Sequence, residues 1–465
     1  MRHRLGLNLA LATVLTACGG GSEPAGPPAA LVAINPGPFT GPVGELLAEP
    51  LSVRVTDAAG RGVPGAVVRF TVTAGNGYVT AGGLGGSVLD DSTDQGGVAM
   101  VTWGLGTVAG AHTVSAGFAG LTPIEFSATA TAGAPAVAVV IDASAFIAPV
   151  SSPTDEPLAV RVEDLFGNPV AGALVNWAAL GAGATVATAS TSSDADGIAE
   201  VGATLGATPG LYLFRASPVG GTPDTIGVLA VTIVADPQGD QTPTGDPAFD
   251  AHDATRFGAL VIQDALVLYA KFAGTIGPGP AGQPNRAALL ASYDLDLDGD
   301  SLTGFFTFRQ CLGGAPLGIG VDAFVDLDQN SGFLTGVANV PPDAVAVLRV
   351  DSLFDADRCN SSFSGAVYPA VAAYQPTSVS LAIPLAFLQD DGGFAVSTLF
   401  AHPGTGTVTD IVPDSVAWQF IPTLVPGPAT TAAVTSVWEH LALPRPSGRA
   451  IPVERMPMLR RFPVR

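Results

Sequence analysis

The side chains best suited to chemistry form a run of alternating carboxylates at Asp294, Asp296, Asp298 and Asp300, with Gly299 before the last of them. Hard cations such as calcium take six to eight oxygen ligands, which alternate carboxylates at a turn can supply. Without a cation, aspartates this close together would repel one another. We therefore predict a calcium site here. The alternative is a solvated acidic turn that only ends a strand.

A second acidic turn supplies three further candidate ligands, Asp326, Asp328 and Asn330. Both turns are followed by the tripeptide Leu-Thr-Gly, at 302–304 and 334–336. In each case an apolar strand pattern runs into an acidic turn. We therefore predict that one or both turns bind calcium, with strand-capping turns again as the alternative.

The first acidic run resembles the calcium loop of EF-hand proteins over residues 294–300. Ser301 follows at the eighth position. Phe305 stands at the twelfth position, where that loop carries a bidentate acid. The resemblance therefore implies calcium coordination by the aspartates, without a complete EF-hand.

The sequence contains no recognisable catalytic set. Its five histidines stand singly, and the motifs of zinc hydrolases, dithiol oxidoreductases, serine hydrolases and P-loop enzymes are absent. We therefore predict a protein that is not an enzyme and name no catalytic residue. A surface hydrolase in the C-terminal domain stays an alternative, because carboxylate pairs that cleave sugars meet only in the fold.

The first eighteen residues have the form of an export signal. Arg2 and Arg4 precede an apolar stretch, 5–15, that is too short to span a bilayer. The four residues ending at Cys18 resemble a bacterial lipobox, which implies cleavage after residue 17 and lipidation of Cys18. The resemblance places the chain in the cell envelope, and Gly19 after the cysteine favours the outer membrane.

Composition limits the fold and the partners. The 465 residues leave room for about three domains. Apolar residues make up 47%, and 58 Gly and 39 Pro demand many turns, which favours short strands. A net charge of −21 argues against nucleic acid as a partner. We expect a monomer. With Cys18 lipidated, Cys311 and Cys359 remain as an even pair that we expect to form a disulfide.

The chain contains an internal repeat, at about 31–132 and 135–235. Residues 50–57 match 157–164 at an offset of 107, and later matches such as Asp94 with Asp194 have an offset of 100. A strand-rich repeat of this length predicts two Ig-sized β-sandwiches. Residues 18–30 are rich in Gly, Ser and Pro and predict a flexible tether.

The repeat resembles the bacterial Ig-like domains of invasin- and intimin-type surface proteins. The resemblance is carried by Val55–Phe70, Val162–Trp177, Thr93–Ala99 and Ser193–Ala199. It implies the sandwich fold and display at the cell surface, and it specifies no ligand. The repeat aspartates and His112 are interpreted as structural residues: Asp57, Asp94, Asp164 and Asp194.

The remaining chain shows no copy of the repeat. We predict a linker at 236–247, a larger β-sandwich at 248–440 and a basic disordered tail at 441–465. Segments 385–394 and 409–414 resemble secreted sandwich modules of the DOMON and carbohydrate-binding type. Predicted strands of this domain are Ala265–Phe272, Ala287–Asp294, Val321–Val325, Val345–Val350, Ser378–Ile383 and Phe394–Leu399.

These observations predict an all-β, lipid-anchored envelope protein. Two tandem Ig-like β-sandwiches would act as spacers and present a third, larger β-sandwich for adhesion or for binding a surface glycan or protein. A purely structural envelope protein is the other alternative.

Overall fold

The computed structural model is nearly all β, with β-sandwich-like sheets, and confirms the predicted all-β fold class. It divides into two compact units, residues 1–133 and 134–465. No helix among the described residues is long and apolar enough to cross a membrane. The described residues are 24–141, 147–236, 253–262, 264–276, 290–311, 316–327, 344–359, 361–375, 377–389, 394–401, 408–412, 418–420 and 451–457.

The first unit is a sandwich of two sheets with strand orders β1-β3-β8-β5-β6 and β2-β10-β9-β4-β7. Its strands alternate buried and exposed residues because one face of each sheet packs inward. Val53, Phe70, Trp103 and Phe126 are fully buried between the sheets. The strands are β1 Ala30–Ala33, β2 Phe39–Pro42, β3 Leu51–Thr56, β4 Val67–Ala74, β5 Tyr78–Ala81, β6 Leu84–Gly86, β7 Val88–Ser92, β8 Val98–Gly104, β9 Gly110–Gly117 and β10 Ile124–Thr131.

The second repeat, at the start of the second unit, follows the strand succession of the first, except that β6 has no counterpart among its described residues and β8 corresponds to two short strands, β17 and β18. Trp177 occupies the core position that Phe70 holds in the first repeat, and both are buried. The strands are β11 Val137–Val140, β12 Ile147–Pro149, β13 Leu158–Glu163, β14 Leu174–Ala179, β15 Thr185–Val186, β16 Ser190–Ser192, β17 Ile198–Val201, β18 Ala203–Thr204, β19 Gly210–Pro218 and β20 Asp224–Ala235.

The repeat aspartates hold turns, which confirms their structural interpretation. The Asp57 carboxylate accepts hydrogen bonds from the backbone N–H groups of Ala59 and Arg61, at 2.9 Å each. Asp94, Asp164 and Asp194 accept from N–H groups two and four residues further on in the same way. Such turns let the chain reverse at the end of a strand without leaving its N–H groups unpaired.

His112 is buried and structural, as predicted. Its Nε2 lies 2.9 Å from the carbonyl oxygen of Val108. In the second repeat the same position is Tyr212, whose hydroxyl donates to the carbonyl of Thr208 at 2.9 Å. Two different side chains therefore make the same contact four residues back, because the fold needs a polar group at this corner.

The N-terminal segment joins the first sandwich earlier than predicted. The Gly26 N–H donates to the Asp57 carboxylate at 2.8 Å, and the Ala29 N–H donates to the carbonyl of Thr56 at 2.7 Å. These bonds attach residues 26–30 to the fold. The tether predicted for residues 18–30 therefore ends before Gly26.

The last part of the chain is one long antiparallel sheet. From β20 its order is β21-β22-β27-β26-β25-β24-β23-β28-β29, with β30 beside β28 and β31 beside β26. Buried residues from most of these strands, such as Phe257, Tyr293, Val347 and Leu381, form one core, so the sheet curls around it. Its elements are β21 Ala254–Ile262, β22 Ala265–Phe272, β23 Leu290–Asp296, α1 Phe308–Cys311, β24 Ala323–Asp326, β25 Ala344–Leu353, β26 Ser362–Gln375, β27 Ser378–Pro384, α2 Leu385–Leu388, β28 Phe394–Ala401, β29 Val408–Val412, β30 Trp418–Phe420 and β31 Ile451–Pro457.

The predicted strands of this part lie within or overlap observed strands. The sequence patterns missed β21, β26, β29 and β30. They also missed β31, which pairs with β26 inside the segment predicted to be a disordered tail. The disorder prediction is therefore wrong for residues 451–457. Two of these seven residues are prolines, a residue depleted in strands, so the local pattern did not favour a strand.

Strand β20 belongs to both the second repeat and the last sheet. Its first part pairs with β19, and Thr232–Ala235 pairs with Arg256–Ala259 of β21. Leu229 and Val231 pack with Leu260 and Tyr269 in one apolar cluster. Residues 237–252, which contain most of the predicted linker, lie outside the described residues. The strands on either side of that segment nevertheless form one continuous sheet.

An ion-pair group accompanies this junction. The Asp155 carboxylate of the second repeat pairs with Lys271 of β22 and lies 3.6 Å from the Arg256 guanidinium of β21. Lys271 is the only lysine in the chain. The described contacts therefore join the second repeat to the last sheet by strand pairing, apolar packing and charge.

Candidate cation site at the acidic loop

The candidate site lies where β23 gives way to a loop, residues 297–304. Strand β23 pairs with β24 so that Leu295 lies opposite Ala323, and the Asp322 N–H donates to the Leu295 carbonyl at 2.9 Å. This register places Asp322 beside Asp296, although 26 residues separate them in the chain. Strand pairing therefore adds a carboxylate to the predicted run.

Three carboxylates converge at this point. One oxygen each from Asp296, Asp298 and Asp322 lies within 4.8 Å of the other two. Asp296 is buried, Asp322 is half-buried and Asp298 is exposed. The group therefore opens to solvent on one side, where an ion could enter.

Backbone N–H groups fix the orientation of the carboxylates. Asp296 accepts from the Gly299 N–H at 2.7 Å and from the Gly320 N–H at 3.3 Å. Asp322 accepts from the Leu297 N–H at 2.9 Å and from the Asp298 N–H at 3.4 Å. The Thr303 hydroxyl lies 3.2 Å from both carboxylate oxygens of Asp298. The side chains are therefore held in place by the loop itself.

Burial raises the free energy of the ionised carboxylates in this group. The pKa of Asp322 is raised to about 6, mainly by burial and also by the neighbouring Asp298 and Asp296 charges, against the backbone N–H bonds that lower it. Burial likewise raises the pKa of Asp296 above its usual range. A bound cation would offset these costs, because it favours the ionised forms of the carboxylates around it.

The loop packs closely against the segment before β24. A Cβ atom at Gly320 would lie 2.3 Å from the Thr303 carbonyl oxygen and 2.6 Å from the Asp300 carbonyl oxygen. Only glycine permits this approach without moving the backbone. The glycine therefore brings the acidic loop against the segment that carries Asp322.

Arg358 holds the other side of the loop. Its guanidinium donates to the carbonyls of Gly304 at 2.8 Å and Ser301 at 3.0 Å, and it also donates to the carbonyl of Thr303. The guanidinium carbon lies 4.3 Å from the ring centroid of Phe306. Because a planar guanidinium directs several N–H groups at once, one side chain fixes several carbonyls of the loop.

The predicted disulfide is confirmed. Cys311 and Cys359 are bonded, with their Cα atoms 5.5 Å apart. The bond ties the residue after Arg358 to α1, which begins four residues after Gly304. It therefore anchors Arg358 next to the acidic loop.

The other predicted ligands lie elsewhere or outside the described residues. Asp294 and Asp326 are buried on the paired strands β23 and β24, and Asp294 accepts from the Ser292 hydroxyl at 3.1 Å. Asp300 is exposed and accepts from the Leu302 N–H. These three are not in the converging group of the described residues. Asp328 and Asn330 lie outside the described residues, as does Cys18.

The converging group fits a hard cation by its donor chemistry. Its ligands are carboxylate oxygens, the type that calcium and magnesium prefer. Asp296 and Asp298 belong to the predicted set, whereas sequence reasoning missed Asp322. A signal for it was present, because Asp322 directly precedes the apolar strand Ala323–Asp326, which must pair with a neighbour, but the partner strand could not be identified from the pattern.

No protein-family model matches this chain, and no curated protein matches it. Among solved structures it is similar to the Escherichia coli adhesin FdeC, with 13% identity over 86% of this chain and 99% of that chain and a TM-score of 0.32. It is similar to invasin, described as a bacterial integrin-binding protein, with 14% identity over 85% and 60% and a TM-score of 0.23.

A further similar structure is a glycosyl hydrolase family 2 member from Bacteroides cellulosilyticus. It shows 12% identity over 41% of this chain and 23% of that chain, with a TM-score of 0.20. Likeness at these levels concerns the fold alone. These similarities therefore do not decide between the predicted non-enzyme and the hydrolase alternative.

Proposed function

We propose that this chain is an envelope-anchored adhesion protein whose C-terminal sheet binds a surface ligand with the help of calcium. The observation that carries the proposal is the convergence of the Asp296, Asp298 and Asp322 carboxylates within 4.8 Å of one another. Calcium at this point would link the loop after β23 to the start of β24. The ion would stabilise a surface loop for contact with a ligand.

The packing of the loop supports a preformed site. Gly320 and Arg358 hold the loop from two sides before any ion is present. A preorganised ligand set loses less conformational entropy when an ion binds. We therefore expect calcium to bind with little rearrangement of the backbone.

The continuity of β20 supports a presenting role for the second repeat. A strand shared with the last sheet, together with the Asp155 ion pairs, fixes the orientation of that sheet relative to the second repeat better than a flexible linker would. In this proposal the second repeat and the last sheet act together as the part that meets the ligand, which is a surface glycan or protein.

Lipidation of Cys18 would supply the anchor, and the outer membrane is the proposed location. Gly26, where the first sandwich begins to hold the chain, is the eighth residue after Cys18. Eight extended residues span at most about 29 Å. A lipid at Cys18 would therefore keep the first sandwich close to the membrane surface.

The calcium-dependent contact is tested by glycan-array and cell-surface binding of the full chain, with calcium and with EDTA. Asp322→Asn should abolish the effect of calcium, whereas Asp196→Asn, in an exposed turn of the second repeat, should leave it intact. Binding that is unaffected by EDTA in the wild type would contradict the calcium role. Turnover of any polymer would instead support the hydrolase alternative.

The anchor has its own test. Cys18→Ser should move the protein from the membrane fraction to the soluble fraction, and metabolic labelling with a fatty acid should be lost. Unchanged partitioning would contradict lipid anchoring without affecting the calcium proposal.

A further inference from the structure

The outer face of the sheet β2-β10-β9-β4-β7 in the first repeat is lined with hydroxyl groups. The sheet buries alternate residues, so the intervening ones point outward. These outward residues are at least partly exposed and include Thr40, Thr71, Thr73, Thr113, Ser115, Ser127, Thr129 and Thr131.

Strand register arranges these hydroxyls in rows across the sheet. Thr71 of β4 lies opposite Ser115 of β9, and Ser127 of β10 lies opposite Thr113. Neighbouring strands lie about 4.8 Å apart, so the rows form a regular array. The Thr73 and Thr113 hydroxyls are 2.5 Å apart and bond to each other.

A shallow groove of about 560 Å³ crosses one half of this face. Arg69 and Asp90 form a two-point ion pair within it, with both N–H···O distances at 2.8 Å. Gly117 lies opposite Arg69 on β9, and a Cβ there would make only an ordinary contact with the Arg69 carbonyl oxygen, at 3.9 Å. Phe118 also lines the groove. The groove therefore combines hydrogen-bond donors, hydrogen-bond acceptors and an aromatic ring, and the charges of Arg69 and Asp90 cancel.

In the second repeat the equivalent face of the sheet is covered by protein, and its residues are of a different type. Leu229 and Val231 stand where the first repeat has Thr129 and Thr131, at an offset of 100. Both are fully buried and pack against strands of the last sheet. Leu213 likewise stands in place of Thr113. In one copy the face is apolar and covered by protein, and in the other it is polar and open.

We infer that this face of the first repeat is a second binding surface, which takes an uncharged polysaccharide. The ion pair within the groove is internally neutralised, so it offers hydrogen bonds without attracting a charged ligand. Paired hydroxyl rows can donate and accept at every step along a sugar chain. A protein partner would favour an apolar centre of the kind that the second repeat has.

The experiment measures binding of the full chain to cellulose and chitin by pull-down and to dextran by calorimetry, with heparin as the charged comparison. The test variant replaces three hydroxyls, Thr71→Val, Thr113→Val and Ser115→Ala. The control is Thr102→Val, a half-buried threonine on the other sheet of the same repeat. Circular dichroism checks that every variant is folded.

We expect the wild type to bind at least one uncharged polysaccharide in EDTA, and the triple variant to bind it at least tenfold more weakly. The control should match the wild type, and Asp322→Asn should bind in the same way because this surface is independent of the acidic loop. The inference is overturned if no uncharged polysaccharide binds or if heparin binds best. Equal binding by the triple variant, or loss of binding only in Asp322→Asn, would also overturn it.

Discussion

Replacing Asp322 by asparagine should stabilise the protein when no cation is present. The folded-state pKa of about 6 lies above the ordinary value of 3.8 because the carboxyl is partly buried beside Asp296 and Asp298. At 1.36 kcal/mol per pKa unit, this difference costs the folded state about 3 kcal/mol at most above pH 7. Asparagine carries no charge, so Asp322→Asn should recover part of that free energy of unfolding.

The sign of the pH dependence follows from the same difference. Because the folded state binds the proton more tightly than the unfolded state, the penalty is full above the folded pKa and is relieved as the pH falls towards 3.8. In EDTA the wild type should therefore gain about 1.3 kcal/mol from this group between pH 7 and pH 5. The Asp322→Asn variant should lack that gain.

Calcium should narrow or remove the difference in stability between the two proteins. A cation at 100 times its dissociation constant stabilises the folded state by about 2.7 kcal/mol. The wild type should gain this free energy, and Asp322→Asn should gain little of it. In calcium the wild type should therefore lose most or all of its disadvantage.

The assay is urea unfolding at pH 5 and pH 7, in EDTA and in calcium, with hydrogen exchange at the Leu297 and Gly299 amides as the local readout. These amides donate to Asp322 and Asp296 respectively. If Asp322→Asn is no more stable than the wild type in EDTA at pH 7 and both have the same pH slope, burial of the Asp322 charge does not destabilise the fold. Equal stabilisation of both proteins by calcium would place the ion elsewhere.

Three further predictions concern the surroundings of the acidic loop and the start of the fold. Arg358→Gln should cost about 3 kcal/mol and speed hydrogen exchange in residues 301–305, since the guanidinium holds several loop carbonyls; unchanged exchange there would contradict the clamp. Gly320→Ala should destabilise by about 2 kcal/mol or more in thermal unfolding, whereas Gly202→Ala, with an ordinary 3.6 Å contact, should change stability little. The hydrogen bond from the Gly26 N–H is the main cause of the lowered pKa of Asp57, so the stability that Asp57 contributes should be present above pH 3.8 and lost as acid is added. Asp57→Asn should therefore flatten the acid limb of the first unit's unfolding curve. An unchanged acid limb would contradict the attachment of Gly26 to the first sandwich through Asp57.

Local patterns predicted the strand content and the repeat. Period-two alternation marks strands that bury one face, and the offsets of 107 and 100 identify two copies of one sandwich. The disulfide also followed from the sequence, because an even pair of cysteines in a chain predicted to be exported favours bonding. Turn residues such as Asp94 and Asp194 were interpretable because their hydrogen bonds are made within four residues of themselves.

Only the tertiary structure decided which distant residues meet. Asp322 joins Asp296 through the pairing of β23 with β24, and no local pattern states which strands pair. The sharing of β20 was hidden for the same reason: apolar residues such as Leu229 and Val231 predict a covered face, but they do not state which strands cover it. Thr129 and Leu229 hold equivalent positions, yet one is exposed and the other is buried against a second sheet. The sequence by itself determined the sandwiches, and long-range pairing determined where carboxylates converge and which faces stay open.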